Sequence, residues 1–176
     1  AANARPGLDT ITFNIPGTGP HTIQPLSPLT PISDPVVIDG YSQPGASPNT
    51  LSLGSNASLL IELDGTNAGP GAIGLNIGAS GSTLRELVVN RFGSYGVVIG
   101  ADNNVVQGNF IGTDRTGTKS LGKQAEGLAI FSGSTNLVGG VTPGVRNVIS
   151  GNGIAVDIRG SQNKVQGNFI GTDVTG

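Results

Sequence analysis

The chain has 176 residues, of which 11% are charged and 36% hydrophobic, and its net charge is −2 without a single cysteine. This low charge excludes a disordered polyelectrolyte, and the lack of a basic excess argues against nucleic acid as a partner. Without cysteine there is no disulfide, thiolate metal site or cysteine nucleophile. No apolar run reaches the roughly 18 residues that span a bilayer, so membrane insertion is not expected.

Turn-forming residues dominate the rest of the composition. The chain contains 30 glycines, and glycine and asparagine both tolerate the left-handed backbone of tight turns. No stretch carries a sustained apolar stripe with the 3.6-residue period of an amphipathic helix. The sequence therefore predicts an all-β fold with many short strands.

The N-terminal third is extended and irregular. Thr10–Ile15 reads as a strand, and the proline-rich Pro20–Pro35 follows it. We interpret residues 1–35 as an N-terminal capping segment with the first coil. Residues 36–176 continue it as repeats within the same domain.

Two short apolar runs that end in Asp-Gly come next, at Val37–Asp39 and Ile61–Asp64. Their similarity predicts that both are third strands of successive turns. Asp39 and Asp64 could form a carboxylate pair of the kind that glycoside hydrolysis requires. Asp-Gly after a strand is also an ordinary turn signal, which is the interpretation we favour.

A series of first strands follows, beginning at Gly74, Gly96, Gly127 and Ala155. Each has apolar residues at alternate positions, which places them on one face of a strand. The inward pairs are Leu75/Ile77, Val97/Ile99, Leu128/Ile130 and Val156/Ile158, and the outward residues between them are Asn76, Val98, Ala129 and Asp157.

The strongest repeat relates two fourteen-residue segments that begin at Asn104 and Asn163, 59 residues apart, with twelve identical positions. Within the first copy we predict a second strand at Val105–Gln107 and a third at Phe110–Gly112. Few apolar side chains are available in one turn, so turns must stack to bury them. The fold prediction is a right-handed parallel β-helix, a solenoid of three-strand coils with roughly six turns.

Gly-Asn pairs fall between the predicted strands at Gly108-Asn109, Gly151-Asn152 and Gly167-Asn168. Asparagine accepts the left-handed backbone, and stacked side-chain amides can hydrogen-bond from one turn to the next. We therefore expect these asparagines to form a ladder along the stack.

Three segments resemble a known group: AANARPGLDTITFNIPG at Ala1–Gly17, PVVIDGYSQPG at Pro35–Gly45, and the GNFIGTD-x-TG repeats. They are similar to bacterial right-handed β-helix repeat proteins with the pectin-lyase-like fold. The resemblance implies a secreted or cell-surface location. A capping helix and further turns usually flank these segments in that group, so we expect the chain to be a fragment with incomplete caps.

Enzymes of this fold usually work on the outer face of the first strand, where the charged candidates are Asp157 and Arg159. These two residues could contact a carbohydrate, or they could form a solvent-exposed ion pair. Tyr41 is a further candidate for stacking on a sugar ring. Too few charged groups converge on this face for a lyase or hydrolase, so no catalytic residue is assigned. The single histidine, His21, has no serine or cysteine motif around it in the sequence, so it is assigned no catalytic role.

Asp114 and Asp173 occur at equal positions of the two repeats and are the candidate calcium ligands. Each sits among threonines whose oxygens could complete a site. The alternative, which we favour, is that each aspartate accepts backbone N–H groups and closes a turn. No other cofactor is expected.

The predicted function is a non-catalytic structural or adhesive module of a secreted or cell-surface bacterial protein. The alternatives are a carbohydrate-active β-helix (polysaccharide lyase, hydrolase or epimerase) and a carbohydrate-binding module. Polysaccharide is the expected partner. Unpaired strand edges at the open end, around Phe169–Gly171, predict self-association.

Overall fold

The computed structural model describes residues 3–4, 6–122 and 124–176, and within these ranges it contains sixteen short strands and no α-helix. Three single turns of 3₁₀-helix occur at Gly40–Ser42, Gly65–Asn67 and Pro143–Val145. The strands are β1 (Asp9–Thr12), β2 (His21–Ile23), β3 (Val36–Asp39), β4 (Ile61–Asp64), β5 (Leu75–Ile77), β6 (Thr83–Arg85), β7 (Val88–Asn90), β8 (Tyr95–Ile99), β9 (Val105–Gln107), β10 (Phe110–Ile111), β11 (Glu126–Ile130), β12 (Leu137–Gly139), β13 (Val148–Ile149), β14 (Ile154–Ile158), β15 (Lys164–Gln166) and β16 (Phe169–Ile170).

The strands form three parallel sheets. Sheet A has the order β1-β3-β6-β9-β12-β15, sheet B the order β2-β4-β7-β10-β13-β16, and sheet C the order β5-β8-β11-β14. From β5 onward the chain passes through sheets C, A and B in that order four times. Ile32 adds one parallel bridge to Ile77 and so precedes β3 and β4 in the position of sheet C. This cyclic order is consistent with a parallel β-solenoid.

Pairing between neighbouring strands aligns the inward side chains. Val97 lies between Leu75 and Leu128 in the register of sheet C, and Leu128 pairs in turn with Val156. Val97 and Leu128 are 0% exposed. Full burial of such a side chain contributes roughly 1.5–3 kcal/mol, so the stacked interior supplies much of the stability. The inward positions predicted for these strands are confirmed.

An asparagine ladder runs along the corner between sheets C and A. The side-chain oxygen of Asn104 accepts from the Ser82 amide at 2.7 Å, and that of Asn136 accepts from the Asn104 amide at 2.7 Å. Asn163 continues the series by accepting from the Asn136 amide at 2.9 Å. No asparagine ladder was predicted at this corner.

A second ladder occupies the corner between sheets A and B. Asn109 accepts from the Leu87 amide at 2.9 Å, Asn147 from the Asn109 amide at 2.8 Å, and Asn168 from the Asn147 amide at 3.0 Å. The prediction for Asn109 and Asn168 is therefore confirmed. The Asn152 side chain also hydrogen-bonds to the neighbouring turn, but it donates to the Ile111 carbonyl and to its own turn at Ser150, and it does not join this ladder.

The assignment of Val37–Asp39 to a third strand was wrong. Strand β3 pairs with Thr83–Arg85 in sheet A, which is the sheet of second strands, whereas β4 does lie in sheet B as predicted. An insertion of about twenty residues follows β3 before β4 begins. Because this insertion lies between β3 and β4, the 25-residue spacing of the two Asp-Gly pairs corresponds to the step from sheet A to sheet B and not to a complete turn.

The outer face of sheet B is buried as well as its inner face. Outward Val88, Phe110 and Val148 form a second apolar cluster with Leu59, and each is at most 2% exposed. Residues 43–58, which we call the strap, contribute Ala57 to this cluster.

The strap runs along the stack across several turns. Its Asn49 side chain donates to the Pro143 carbonyl at 3.3 Å, and its Ser55 amide donates to the Val174 carbonyl at 2.7 Å. Residues far apart in the stack are therefore joined directly, in addition to the contacts between neighbouring turns.

Apolar residues are more exposed in the first and last turns than in the middle. In sheet C, Ile158 is 43% exposed whereas its partner Ile130 is 0% exposed, and in sheet B, Ile170 is 44% exposed beside Ile149 at 0%. A cavity of about 150 Å³ lies in the N-terminal turns. It is lined by apolar residues: Ile11, Phe13, Ile23, Leu29, Ile38, Ile61, Leu63, Leu75 and Leu87.

Candidate functional site

The outer face of sheet C brings together two of the predicted residues with two aromatic rings. Asp157 lies on β14, and its carboxylate accepts from Arg159 Nε at 2.9 Å. The Arg159 guanidinium lies 4.8 Å from the centre of the Phe131 ring. Phe131 in turn meets Tyr95 edge to face, with ring centres 5.2 Å apart. We call these four residues the sheet C face.

Within the sheet C face, the charges of Asp157 and Arg159 compensate each other. The hydrogen bond and the negative charge of Asp157 together raise the pKa of Arg159 above its ordinary value. The Arg159 side chain is 61% exposed, so the ion pair with Asp157 is accessible to solvent. Because an arginine guanidinium stays protonated in proteins, Arg159 presents a permanent positive charge on this face.

Sequence reasoning missed Tyr95 and Phe131, although both flank predicted first strands. Strand β8 begins at Tyr95, one residue earlier than predicted, and Phe131 follows the end of β11. Both rings are partly exposed. An aromatic residue at each end of the outer face was the available signal.

Tyr41 lies elsewhere, at the corner between sheets A and B. Its hydroxyl donates to the Gly144 carbonyl at 3.1 Å, and the Arg85 guanidinium lies 6.0 Å from its ring centre. Burial of the ring and the nearby charge of Glu86 raise the pKa of Tyr41 above its ordinary value. Tyr41 therefore fastens two segments of the chain and does not join Asp157 and Arg159.

Asp39 and Asp64 do not form a carboxylate pair, because β3 and β4 belong to different sheets. Asp39 accepts two hydrogen bonds from Arg85, at 2.8 and 2.7 Å. Asp64 accepts from Gln24 and Arg91, each at 3.0 Å. Each aspartate also caps a 3₁₀ turn by accepting the backbone amide two residues on.

Asp114 and Asp173 each accept a hydrogen bond from the hydroxyl of the threonine two residues on, and they differ in their backbone donors. Asp114 accepts from the Thr116 hydroxyl at 2.8 Å and from the Thr118 and Lys119 amides at 3.1 Å. Asp173 accepts from the Thr175 hydroxyl and amide at 2.6 and 2.8 Å. Asp173 therefore closes an Asx-type turn through the amide two residues on, whereas Asp114 closes a wider turn through the amides four and five residues on.

The pKa of each turn aspartate reflects these donors. Partial burial of Asp114 opposes its ionisation, but the hydrogen bonds from Thr116, Lys119 and Thr118 outweigh it and hold the pKa of the carboxyl below its ordinary value. Hydrogen bonds from Thr175 lower the pKa of Asp173 in the same way. No cluster of three or more potential metal ligands among His, Cys, Asp and Glu occurs in the described ranges.

His21 begins β2, and its Nε2 lies 3.3 Å from the Gln43 side-chain nitrogen. No serine or carboxylate hydrogen bond to His21 occurs in the part of the chain that the structure describes. In that same part, no helix is long and apolar enough to cross a bilayer.

Comparison with known proteins adds no relative: no family model, curated protein or solved structure matches the chain. The architecture of three parallel sheets is compatible with the β-helix group that the sequence resembles. Assignment to that group is therefore made below as a proposal.

Proposed function

We propose that the chain is a right-handed parallel β-solenoid that serves as a non-catalytic structural or adhesive module of a secreted or cell-surface bacterial protein. The observation that carries the proposal is the continuous register of parallel strands through all three sheets. A connection between parallel strands is right-handed in nearly all proteins, which supports the proposed hand. The extracellular location rests on the sequence resemblance.

The side chains available on the surface support a module without catalysis. A lyase or hydrolase needs an acid and a base at hydrogen-bonding distance from the scissile bond. On the sheet C face, the carboxylate of Asp157 is engaged by Arg159 at 2.8 Å. Asp39, Asp64, Asp114 and Asp173 are engaged in ion pairs or turn hydrogen bonds.

Incubation with a panel of acidic and neutral polysaccharides tests the absence of catalysis. We expect no unsaturated or reducing-end products above those of a heat-denatured control. Product formation would overturn the proposal, and its loss in Asp157→Asn would then assign the activity to the sheet C face.

A carbohydrate-binding role is the second candidate, and the meeting of Arg159 with Phe131 favours it. A partly exposed aromatic ring beside charged hydrogen-bonding groups suits the apolar face and the hydroxyls of a sugar. We expect calorimetry with an acidic polysaccharide to detect binding that Phe131→Ala reduces at least tenfold. Leu53→Ala is the matched control, since Leu53 is 86% exposed on the strap.

We also propose that the 176-residue chain self-associates through the strand edge of its last turn. Ile154 and Ile170 on the outermost strands β14 and β16 are 50% and 44% exposed. A second copy could pair with these edges and cover them. Sedimentation should reveal a dimer that dissociates on dilution and is weakened in Ile170→Lys. A monomer at every concentration would contradict the proposal.

A further inference from the structure

Glu86 occupies a corner position that other turns give to glycine. Arg85 pairs with Gln107 in sheet A, so Glu86 stacks directly above Gly108. The φ angle is +55° at Glu86, +68° at Gly108 and +65° at the equivalent Gly167. Glycine adopts this left-handed backbone without strain, whereas a residue with a side chain is strained there. A glutamate at this corner therefore needs an explanation other than turn formation.

The Glu86 side chain is fully buried, at 0% exposure. Among the residues that the structure describes, none donates a hydrogen bond to either of its carboxyl oxygens. The neighbouring Arg85 does not supply one, because its Nε and Nη2 donate to Asp39 at 2.8 and 2.7 Å. A buried carboxylate that lacks donors is strongly disfavoured relative to the neutral acid.

Tyr41 and the turn before it close this corner. Gly40 packs so tightly on the Glu86 carbonyl that no side chain would fit at position 40. The Tyr41 ring then extends past Gly108, whose Cα hydrogen points toward the phenol oxygen, and its hydroxyl donates to the Gly144 carbonyl. Tyr41 thus ties the turn after β3 to the loop before β13, across the corner that holds Glu86.

We propose that Glu86 is a pH-responsive latch, which as a buried neutral acid keeps this corner packed and on ionisation loosens the tie between Tyr41 and Gly144. The ionised side chain has no donor in the closed corner, so it must reach water, and the route lies past the partly exposed Tyr41. The latch adds a regulated contact to the proposed structural role, but its test is independent of any ligand or activity.

The charges around Glu86 agree with this behaviour. Burial first, and then the charge of Asp39, raise the pKa of Glu86 to about 8 against the opposing charge of Arg85. Tyr41 faces the same corner and is neutral over this range because its own pKa is raised. Arg146, in the loop that Tyr41 reaches, directs its guanidinium to the Ser52 carbonyl at 2.8 Å.

The sign of the effect follows from proton linkage. The unfolded chain releases the Glu86 proton near its ordinary value of 4.5, whereas the folded chain keeps it until about pH 8. The stabilisation is therefore complete below pH 4.5 and declines as the pH rises toward 8. With a pKa of about 8, roughly one hundredth of the side chains are ionised at pH 6 and roughly nine tenths at pH 9.

The test compares the denaturation midpoints of the wild-type chain and Glu86→Gln between pH 6 and pH 9. We expect the wild-type midpoint to fall over this range and the Glu86→Gln midpoint to change much less, because glutamine cannot ionise. Equal pH slopes in the two proteins would overturn the proposal. Glu62→Gln is the matched control, since Glu62 already accepts from Thr22 at 2.8 Å and Asn90 at 2.9 Å and should keep the wild-type slope.

A second readout follows Tyr41 itself. The chain contains two tyrosines and no tryptophan, so in a Tyr95→Phe background the near-ultraviolet spectrum reports on Tyr41 alone. We expect this spectrum to shift toward that of exposed tyrosine with a midpoint near pH 8, and to stay constant in Glu86→Gly, which restores the corner glycine. A spectrum that is constant in both proteins would contradict the latch.

Discussion

Sheets B and C are built from parallel strands stacked in the same way, but their outer faces differ in how far they are covered by other residues. On sheet B, the outward Phe110 is 2% exposed beneath covering segments and belongs to a second apolar cluster. On sheet C, Tyr95 and Phe131 remain partly exposed beside Arg159, which carries a charge. The difference teaches that identical strand stacking can bury aromatic rings on one outer face and leave them partly exposed on another.

The insertions at the corners account for this difference. The strap lies along sheet B, where its Asn49 side chain and its Ser55 amide donate hydrogen bonds to the Pro143 and Val174 carbonyls. Solenoid turns usually contact only their immediate neighbours. A segment that crosses several turns makes their unfolding more cooperative, and it removes sheet B from the surface available to ligands.

The largest expected effect comes from Phe110→Ala on sheet B. Removal of this buried ring leaves a cavity in the second cluster, which typically costs about 3–5 kcal/mol. Phe131→Ala is the matched control on sheet C and should cost less, because its ring is partly exposed. Chemical denaturation measures both, and equal losses would contradict the contrast between the faces.

Asn109→Ala tests the ladder beneath both faces. The substitution leaves the buried Leu87 amide without its acceptor, and an unsatisfied buried donor costs about 1–3 kcal/mol. Asn76→Ala, on the outer face of sheet C, removes the same amide group from a half-buried position and should change stability by less. Stability equal to wild type in Asn109→Ala would exclude a supporting role for the ladder.

Acidification should weaken the sheet B side through Asp64. Burial disfavours the charge of Asp64, but hydrogen bonds from Thr66 and Gln24 and the charge of Arg91 outweigh it and lower its pKa. The stabilisation is present above the ordinary pKa of 3.8 and is lost as the pH falls below it. The midpoint should therefore fall less steeply below pH 4 in Asp64→Asn than in wild type, and parallel curves would contradict this assignment.

The smallest effect is expected for Asp157→Asn on sheet C. The ion pair with Arg159 is solvent-exposed, and such pairs contribute little to stability because water screens the charges. The midpoint of thermal unfolding should therefore be almost unchanged. The affinity for an acidic polysaccharide should change if the polysaccharide binds to the sheet C face. A loss of stability comparable to that of Phe110→Ala would mean that this pair is structural.

Repeats in the sequence predicted the inward columns well, because burial imposes strict alternation on residues such as Val97 and Leu128. The sheet of β3 could not be predicted, since Asp39 and Asp64 cap identical local turns at two different corners. The local sequence specifies that each aspartate caps a 3₁₀ turn, but it does not specify which corner of the fold that turn occupies. The two corners are distinguished only by the strands with which β3 and β4 pair.

The candidate sites were less predictable because their residues meet through the stack. Phe131 and Arg159 are on successive turns, and their contact depends on the register of β11 with β14. Glu86 did leave a signal, since alignment of Arg85-Glu86-Leu87 with Gln107-Gly108-Asn109 puts glutamate at a glycine position. Its burial, however, depends on Tyr41, which arrives from another turn.

A distance between Asn76 and Asp157 tests the stacking most directly. These residues occupy the same outward column, separated by Val98 and Ala129 in the register of sheet C. Three strand spacings of about 4.8 Å put their Cα atoms ~14 Å apart. The absence of cysteine in the chain permits spin labels at these two positions alone. Electron paramagnetic resonance should detect strong dipolar coupling at this short range, and a separation beyond ~25 Å would contradict the stack.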